Sequence, residues 1–370
     1  MQPDAHSSSD TTTKTQRQHN FSAGPGTLPE EVLLEVKEEL PLYRTVGSSI
    51  MEISHRSPAY DEVETSARAR IRRLLGLGDD WHILFLQGGA SMQFYQVPLN
   101  FLPKDGGADY LVTGAWAEKA LKEARAIGNA RAAASSEDRN FSYIPDAAAR
   151  ELDDDASYVH FTSNNTIFGT QYRSEPETTA PLVCDASSDF LSRKIDIDRY
   201  GLIYAGAQKN LGPAGVTVVL VKDDFLQRRN SSLPTILDYG THAKKLFNTP
   251  PVYAVYLVEK VLKWLEGIGL DEMEKRNEEK AARLYSRIDK NDFYQGTAET
   301  SDRSRMNVTF RLADESLETS FVEEAKHNGL LALKGHRSVG GIRASIYNAC
   351  APASVDALIA FMDEFERKHG

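Results

Sequence analysis

The feature that most constrains this chain is a lysine set in a turn of small residues, Tyr204-Ala205-Gly206-Ala207-Gln208-Lys209-Asn210-Leu211-Gly212-Pro213. The turn follows directly on an apolar run that reads as a buried strand. Most lysines belong on solvated faces, but a lysine in such a turn after a strand can sit at the mouth of a cavity. Upstream, a second short apolar run, Pro181-Leu182-Val183-Cys184, ends on Asp185. Each residue alone has an ordinary explanation, a capping aspartate and a lysine facing water. As a pair they suit an enzyme that holds pyridoxal phosphate, with the lysine as the Schiff-base amine and the acid facing the ring nitrogen.

Such a pair needs a fold that brings strand ends to one edge, and the remaining pattern supplies it. Apolar runs at 82–86, 110–112, 158–161, 182–184, 202–204 and 216–220 read as strands, and helical spacing covers 60–75, 91–101 and 115–127. This alternation predicts an α/β fold, a large domain whose mostly parallel sheet is covered by helices on both faces. A long helical pattern over 252–266 breaks at Gly267-Ile268-Gly269, and a charged helix to about 288 leads into a smaller α+β domain. There, 307–310 and 342–346 read as strands, 321–327 and 355–367 as helices. The expected division is a disordered tail over 1–19, a large domain over 20–266 and a small C-terminal domain over 267–370.

Composition narrows the function. The 370 residues carry 43 basic and 53 acidic side chains, a net charge of −10, whereas a nucleic-acid binder shows a basic stripe. Any anionic substrate must therefore meet locally concentrated positive charge. Cys184 and Cys350 sit in apolar surroundings and read as buried free thiols of a reducing cytoplasm. No apolar run approaches the ~20 residues that span a bilayer. The polar first nineteen residues, interrupted by Asp4 and Asp10, read neither as a signal peptide nor as a transit peptide.

In open α/β sheets ligands collect beyond the carboxyl ends of the strands. After the strand at 82–86 comes Gln87-Gly88-Gly89-Ala90-Ser91, which opens a helix and offers backbone N–H groups to an anion. Trp116 follows Thr113-Gly114, where an indole could stack on a cofactor ring, and the polar turn Asn164-Asn165-Thr166 could offer a hydroxyl. Two His-Arg doublets, His55-Arg56 and His336-Arg337, lie far apart in the chain, the second just ahead of Gly340-Gly341-Ile342-Arg343. Arginine recognises carboxylate and phosphate through paired N–H groups. Converging doublets would hold a doubly charged anion; scattered ones would be ordinary surface charge.

Five segments, Asn20-Phe21-Ser22-Ala23-Gly24-Pro25, Met51-Glu52-Ile53-Ser54-His55-Arg56-Ser57, Leu86-Gln87-Gly88-Gly89-Ala90-Ser91, Ala205-Gly206-Ala207-Gln208-Lys209-Asn210 and Gly340-Gly341-Ile342-Arg343-Ala344-Ser345-Ile346-Tyr347-Asn348-Ala349, together resemble the phosphoserine aminotransferases, class V aminotransferases of pyridoxal-phosphate fold type I. The resemblance runs from about Asn20 to the C-terminus. It implies a cytoplasmic homodimer with shared active sites, which moves an amino group between glutamate and 3-phosphohydroxypyruvate to give phosphoserine and 2-oxoglutarate. It leaves open the related 4-phosphohydroxythreonine pair of vitamin B6 synthesis. By motif it makes Lys209 the Schiff-base lysine, sets Asp185 against the pyridine nitrogen, stacks Trp116 on the ring and bonds Thr166 to the ring hydroxyl. Ala90, Ser91 and Gln208 would hold the cofactor phosphate, with Asn248 and Thr249 of a second subunit. Arg343 would take the substrate α-carboxylate; His55, Arg56, His336 and Arg337 would take the distal phosphate or carboxylate. No metal is implied. Some members carry an arginine where this chain has Ala90-Ser91, so that contact is missing here. The rival on the same fold is a small-amino-acid:glyoxylate aminotransferase, which has no need of two doublets. A cysteine desulfurase would need a reactive loop cysteine, and neither cysteine reads as one.

Overall fold

The computed structural model describes residues 17–370; most of the expected tail, residues 1–16, lies outside them. The chain enters the fold through β1 (His19–Asn20) and α1 (Glu30–Glu39). In α2 (Pro58–Leu75) the Ser57 side chain caps the start and Gly76, at φ 66°, closes the end in the left-handed conformation that glycine adopts readily. Strand and helix then alternate through β2 (Trp81–Leu86), α3 (Gly89–Phe101), β3 (Gly107–Val112), α4 (Ala115–Ile127), β4 (Asn129–Ser135) and β5 (Val159–Thr162). A short hairpin of β6 (Asn164–Asn165) and β7 (Thr170–Gln171) precedes β8 (Leu182–Asp185), β9 (Tyr200–Gly206) and β10 (Thr217–Lys222). Four helices follow, α5 (Asp223–Leu226), α6 (Tyr239–Lys244), α7 (Val252–Ile268) and α8 (Leu270–Ile288). The chain ends with β11 (Tyr294–Gly296), β12 (Asn307–Leu312), α9 (Glu318–His327), β13 (Leu330–Leu331), β14 (Ile342–Ser345) and α10 (Pro352–His369).

The large sheet has seven strands in the order β2-β10-β9-β8-β5-β3-β4. From β9 to β4 every pair is parallel, while β10 runs against both β9 and β2. All strands but β10 therefore point one way, and β2, β3, β5, β8 and β9 end on a common edge. Alternate side chains of β2 feed two cores, as a pleated strand covered on both faces requires. Ile83 and Phe85 pack with Val63 and Ile71 of α2 and Val255 and Leu262 of α7. Leu84 and Leu86 pack with Phe94 and Val97 of α3 and Ala120 and Leu121 of α4. The short elements α5, α6, β6, β7, β11 and β13 were not expected, and two longer ones also depart from expectation. Strand β4 was not expected, because Asn-Ala-Arg-Ala-Ala-Ala-Ser lacks β-branched and aromatic residues and forms only by pairing with β3. Helix α7 continues through Gly267 and turns only at Gly269, at φ 84°.

A three-stranded sheet, β11-β12-β14, is built against α8, α9 and α10 around a third core. β1 pairs in parallel with β13, and Phe21 is fully buried in this third core. The segment at 19–21, expected as the end of the tail and the start of the large domain, thus packs with the C-terminal elements. Helix α8 ties the cores together: Leu270 and Met273 join the large one, Ala281, Leu284 and Ile288 the small one. Among the described residues no helix is long and apolar enough to cross a membrane. Between these cores, buried Lys280 of α8 donates to the carbonyls of Ile346, Tyr347 and Cys350 at 3.0, 2.7 and 3.1 Å. We predict that Lys280→Met, which leaves those buried carbonyls unpaired, lowers unfolding free energy by about 3 kcal/mol. Urea denaturation checks this, and an unchanged midpoint would contradict it.

Candidate active site

Lys209 sits in the turn that joins β9 to β10. The Ala207 N–H donates to the Val216 carbonyl at 3.0 Å, and the Ala207 carbonyl accepts from Leu211 and Gly212 at 3.1 and 2.8 Å, which fixes the turn. The Gly24-Pro25-Gly26 segment crosses it closely, with the Gly26 N–H 2.7 Å from the Gln208 carbonyl. A Cβ at Gly26 would fall 2.5 Å from the Lys209 carbonyl and 2.9 Å from the Tyr347 ring, so no larger residue fits there without a shift. The Lys209 Nζ donates to Thr166 Oγ1 at 2.7 Å and Ser188 Oγ at 3.1 Å, and these two hydroxyls are themselves 2.6 Å apart. It also stands 5.4 Å from the centre of the Trp116 ring.

Asp185 ends β8 at 5% exposure and accepts from the Ser187 N–H at 3.0 Å. Burial raises its pKa, opposed by Lys209 and that N–H. Burial also brings the Lys209 pKa down from the ordinary 10.5 to about 8; Arg343 adds to the depression, while Asp185 and Asp189 resist it.

The turn after β2 forms a cradle. Gly88 and Gly89 take φ of 94° and 66°, and no side chain caps α3. The N–H groups of Gly89, Ala90 and Ser91 therefore have no acceptor within the helix and can serve an anion. A Cβ at Gly206 would lie 2.8 Å from Gln208 Oε1, so the Gln208 side chain rests against the end of β9. Asn248 Nδ2 donates to Gln87 Oε1 of the same chain at 2.7 Å, and Gln87 Nε2 to the Thr249 carbonyl at 3.4 Å. These two residues thus lie beside the residue that enters the glycine turn.

Trp116 opens α4 after Gly114, where a Cβ would meet Asn165 Oδ1 at 2.5 Å. Its indole Nε1 is buried without a partner among the described residues. From the C-terminal part, β14 brings half-buried Arg343, whose Nε likewise has no partner among the described residues and whose pKa burial lowers. His336 shares its Nδ1 with Ser338 Oγ at 2.7 Å; burial lowers its pKa first, then the charges of Arg343, Arg337 and Lys119. The second doublet, Arg343 and the Lys209 turn are therefore one neighbourhood. The first doublet shows no such link: buried Ile50 and Ile53 anchor its segment, Arg56 is exposed, and neither the His55 nor the Arg56 side chain forms a hydrogen bond or ion pair among the described residues.

Sequence reading missed three residues packed into this neighbourhood. Ser188 and Tyr347 sit in buried turns whose partners are set only by the fold. Lys119 carried a usable signal, its i, i+3 spacing from Trp116 on one helix. The residues present fit pyridoxal phosphate: a buried strand-end carboxylate, a lysine amine, an aromatic face with an unpartnered N–H and an uncapped helix terminus. Among the described residues no group of three or more His, Cys, Asp or Glu is placed to hold a metal ion.

Comparison with known proteins agrees with this geometry. The class-V aminotransferase family model matches residues 18–358. A phosphoserine aminotransferase of Desulfatibacillum aliphaticivorans is 55% identical over 360 residues, 96% of this chain and 99% of that protein. The solved phosphoserine aminotransferase of Bacillus circulans subsp. alkalophilus superposes with a TM-score of 0.94 at 48% identity, over 96% of this chain and all of the other. A pyridoxal-phosphate-bound phosphoserine aminotransferase from Trichomonas vaginalis gives a TM-score of 0.90 at 38% identity, over 94% of this chain and 100% of that one.

The Lys209 environment sets a pH dependence. Only the neutral amine attacks an aldehyde, and with a pKa lowered to about 8 that form grows as pH rises through this value. The rate at which the cofactor-free protein captures pyridoxal phosphate, followed by absorbance, is expected to reach half its plateau near pH 8. A rise beginning only near pH ~10, as for a solvated lysine, would contradict the assignment.

Proposed function

Because this chain belongs to the phosphoserine aminotransferases, within the class-V aminotransferase family, we propose that it exchanges an amino group between glutamate and 3-phosphohydroxypyruvate, yielding phosphoserine and 2-oxoglutarate for serine biosynthesis. The observation that carries the reading at the level of residues is the Lys209 amine, held on two hydroxyls beside Trp116 with Asp185 at the neighbouring strand end. When bound, pyridoxal phosphate supplies an electron-accepting ring and an aldehyde that carries the amino group. The Asp185 carboxylate would face the ring nitrogen and favour its protonated form. Lys209 Nζ, with its lowered pKa, moves the proton at the substrate Cα. With the cofactor bound, Thr166 would meet the ring hydroxyl, Trp116 would lie on the ring, and Ala90, Ser91 and Gln208 would hold the phosphate ester.

Substrate choice rests on positive charge. Arg343 takes the α-carboxylate, and His336 and Arg337 take the distal anion that phosphoserine and glutamate both carry. Serine or alanine would leave those groups unpaired, a cost of about several kcal/mol for desolvated charge. A small-amino-acid:glyoxylate transaminase gains nothing from this cluster.

A single chain leaves His55, Arg56 and exposed apolar residues unused. Met51 is 62% exposed beside the first doublet, and Leu246 and Phe247, at 42% and 38%, precede Asn248. Apolar surface of this kind marks a contact face. We read the protein as a homodimer in which His55, Arg56, Asn248 and Thr249 of each copy complete the other's site. Its two buried free cysteines suit a reducing cytoplasm.

Two measurements test this reading. Phosphoserine should rapidly convert the absorbance of the bound cofactor while unphosphorylated serine does not; equal conversion by both would sink the specificity argument. Arg337→Ala should weaken phosphoserine and glutamate turnover together with cofactor still bound, so loss of cofactor binding would contradict the placement of Arg337. Separately, inactive Lys209→Ala and Arg56→Ala chains, refolded together, should regain about a quarter of wild-type activity, since half of the dimers carry one intact shared site. No recovery in a confirmed mixed dimer would mean the site is not shared.

A further inference from the structure

We propose that Lys119 is a substrate-binding residue of this site, a further cation that holds the distal phosphate opposite His336 and Arg337. This rests on the aminotransferase reading above. Helix α4 leaves the sheet edge at Gly114, so Trp116 and Lys119, three residues apart, share the face turned to the site. Helical side chains lean toward the helix N-terminus, and Lys119 does so: its Nζ stands 4.2 Å from the centre of the Trp116 ring, which Lys209 also approaches at 5.4 Å. Glu123 lies one turn away on the same helix, yet among the described residues Lys119 forms no ion pair with it or with any other carboxylate. Val339, of the loop that carries the second doublet, packs against the same apolar cluster as Ala115 and Trp116 of α4. Consistently, the Lys119 charge reaches His336, where it joins Arg343 and Arg337 in lowering the imidazole pKa. A cation placed on the cofactor-facing aromatic and within reach of the second doublet, without a carboxylate of its own, is completed by an anionic ligand. The Ala90-Ser91 turn has no charged side chain of its own, so Lys119 supplies positive charge on the side of the site formed by the large sheet. A flexible ammonium with three donors suits a phosphate oxygen better than the α-carboxylate, which the half-buried guanidinium of Arg343 serves.

The test uses the cofactor-loaded enzyme and 3-phosphoglycerate, which carries phosphate and carboxylate but neither amine nor keto group and so binds without reacting. Calorimetry should show Lys119→Met binding it about tenfold more weakly than the unmodified enzyme, and Lys119→Arg within about threefold. Steady-state kinetics should show the same rise in KM for phosphoserine, a smaller rise for glutamate and little change in kcat. Lys119 is exposed on a helix surface, so neither substitution threatens the fold, and an unchanged cofactor spectrum verifies it. If Lys119→Met binds 3-phosphoglycerate as tightly as the unmodified enzyme does, the proposal is wrong. If the unmodified enzyme binds no 3-phosphoglycerate and does not turn over phosphoserine, the functional reading itself falls, and this inference with it.

Discussion

Among the described residues, Lys209 reaches the hydroxyls of Thr166 and Ser188 and no carboxylate. The nearby acid, Asp185, is engaged by the Ser187 N–H. A direct ion pair would favour the charged lysine and raise its pKa. The arrangement here instead removes the amine from water, sets Arg343 against its charge and leaves Asp185 only partly compensating. The result is a lysine that can lose its proton near neutral pH. The fold makes this possible through adjacency. Strands β8 and β9 are parallel neighbours with Asp185 opposite Tyr204, so the acid and the lysine turn emerge on the same edge.

The two parts of the molecule meet over this lysine, and each supplies what the other lacks. The large sheet gives Asp185, Trp116, the glycine cradle and Lys119; the C-terminal part gives Arg343 and the second doublet. A connected set of hydrogen bonds sets their relative position. Lys280 gathers the carbonyls of Ile346, Tyr347 and Cys350. From that turn, the Asn348 N–H donates to Asn210 Oδ1 at 2.9 Å, one residue past Lys209, and the Tyr347 hydroxyl donates to the Ala23 carbonyl at 2.7 Å. The N-terminal segment is thereby clamped over the lysine turn. In a chain of net charge −10 cations are nonetheless grouped here, since the charges of Arg343, Arg337 and Lys119 all act on His336.

Much of this was legible in the residues, for identifiable reasons. The buried strands are short apolar runs, and Lys209 and Asp185 stand out because each interrupts apolar sequence at a strand end. Helix α4 begins and ends where its spacing and flanking glycines place it. Strand β4 was not legible, since alanines carry no strand preference and only the edge of β3 makes them one. The pairing of His19 and Asn20 with β13 was equally hidden, because it joins chain ends that share no local pattern. At the site, the residue types were readable but their grouping was not. Nothing in the sequence says that His336 lies near Arg343 and Lys119. Ser188 is one serine in a polar turn until the fold sets it on the lysine amine.

The most direct measurement of the central claim is borohydride reduction of the cofactor-loaded protein, followed by peptide mass analysis. The account predicts a single pyridoxyl label, on the peptide that contains Lys209. A label on Lys119 or another lysine, or one spread over several, would contradict it.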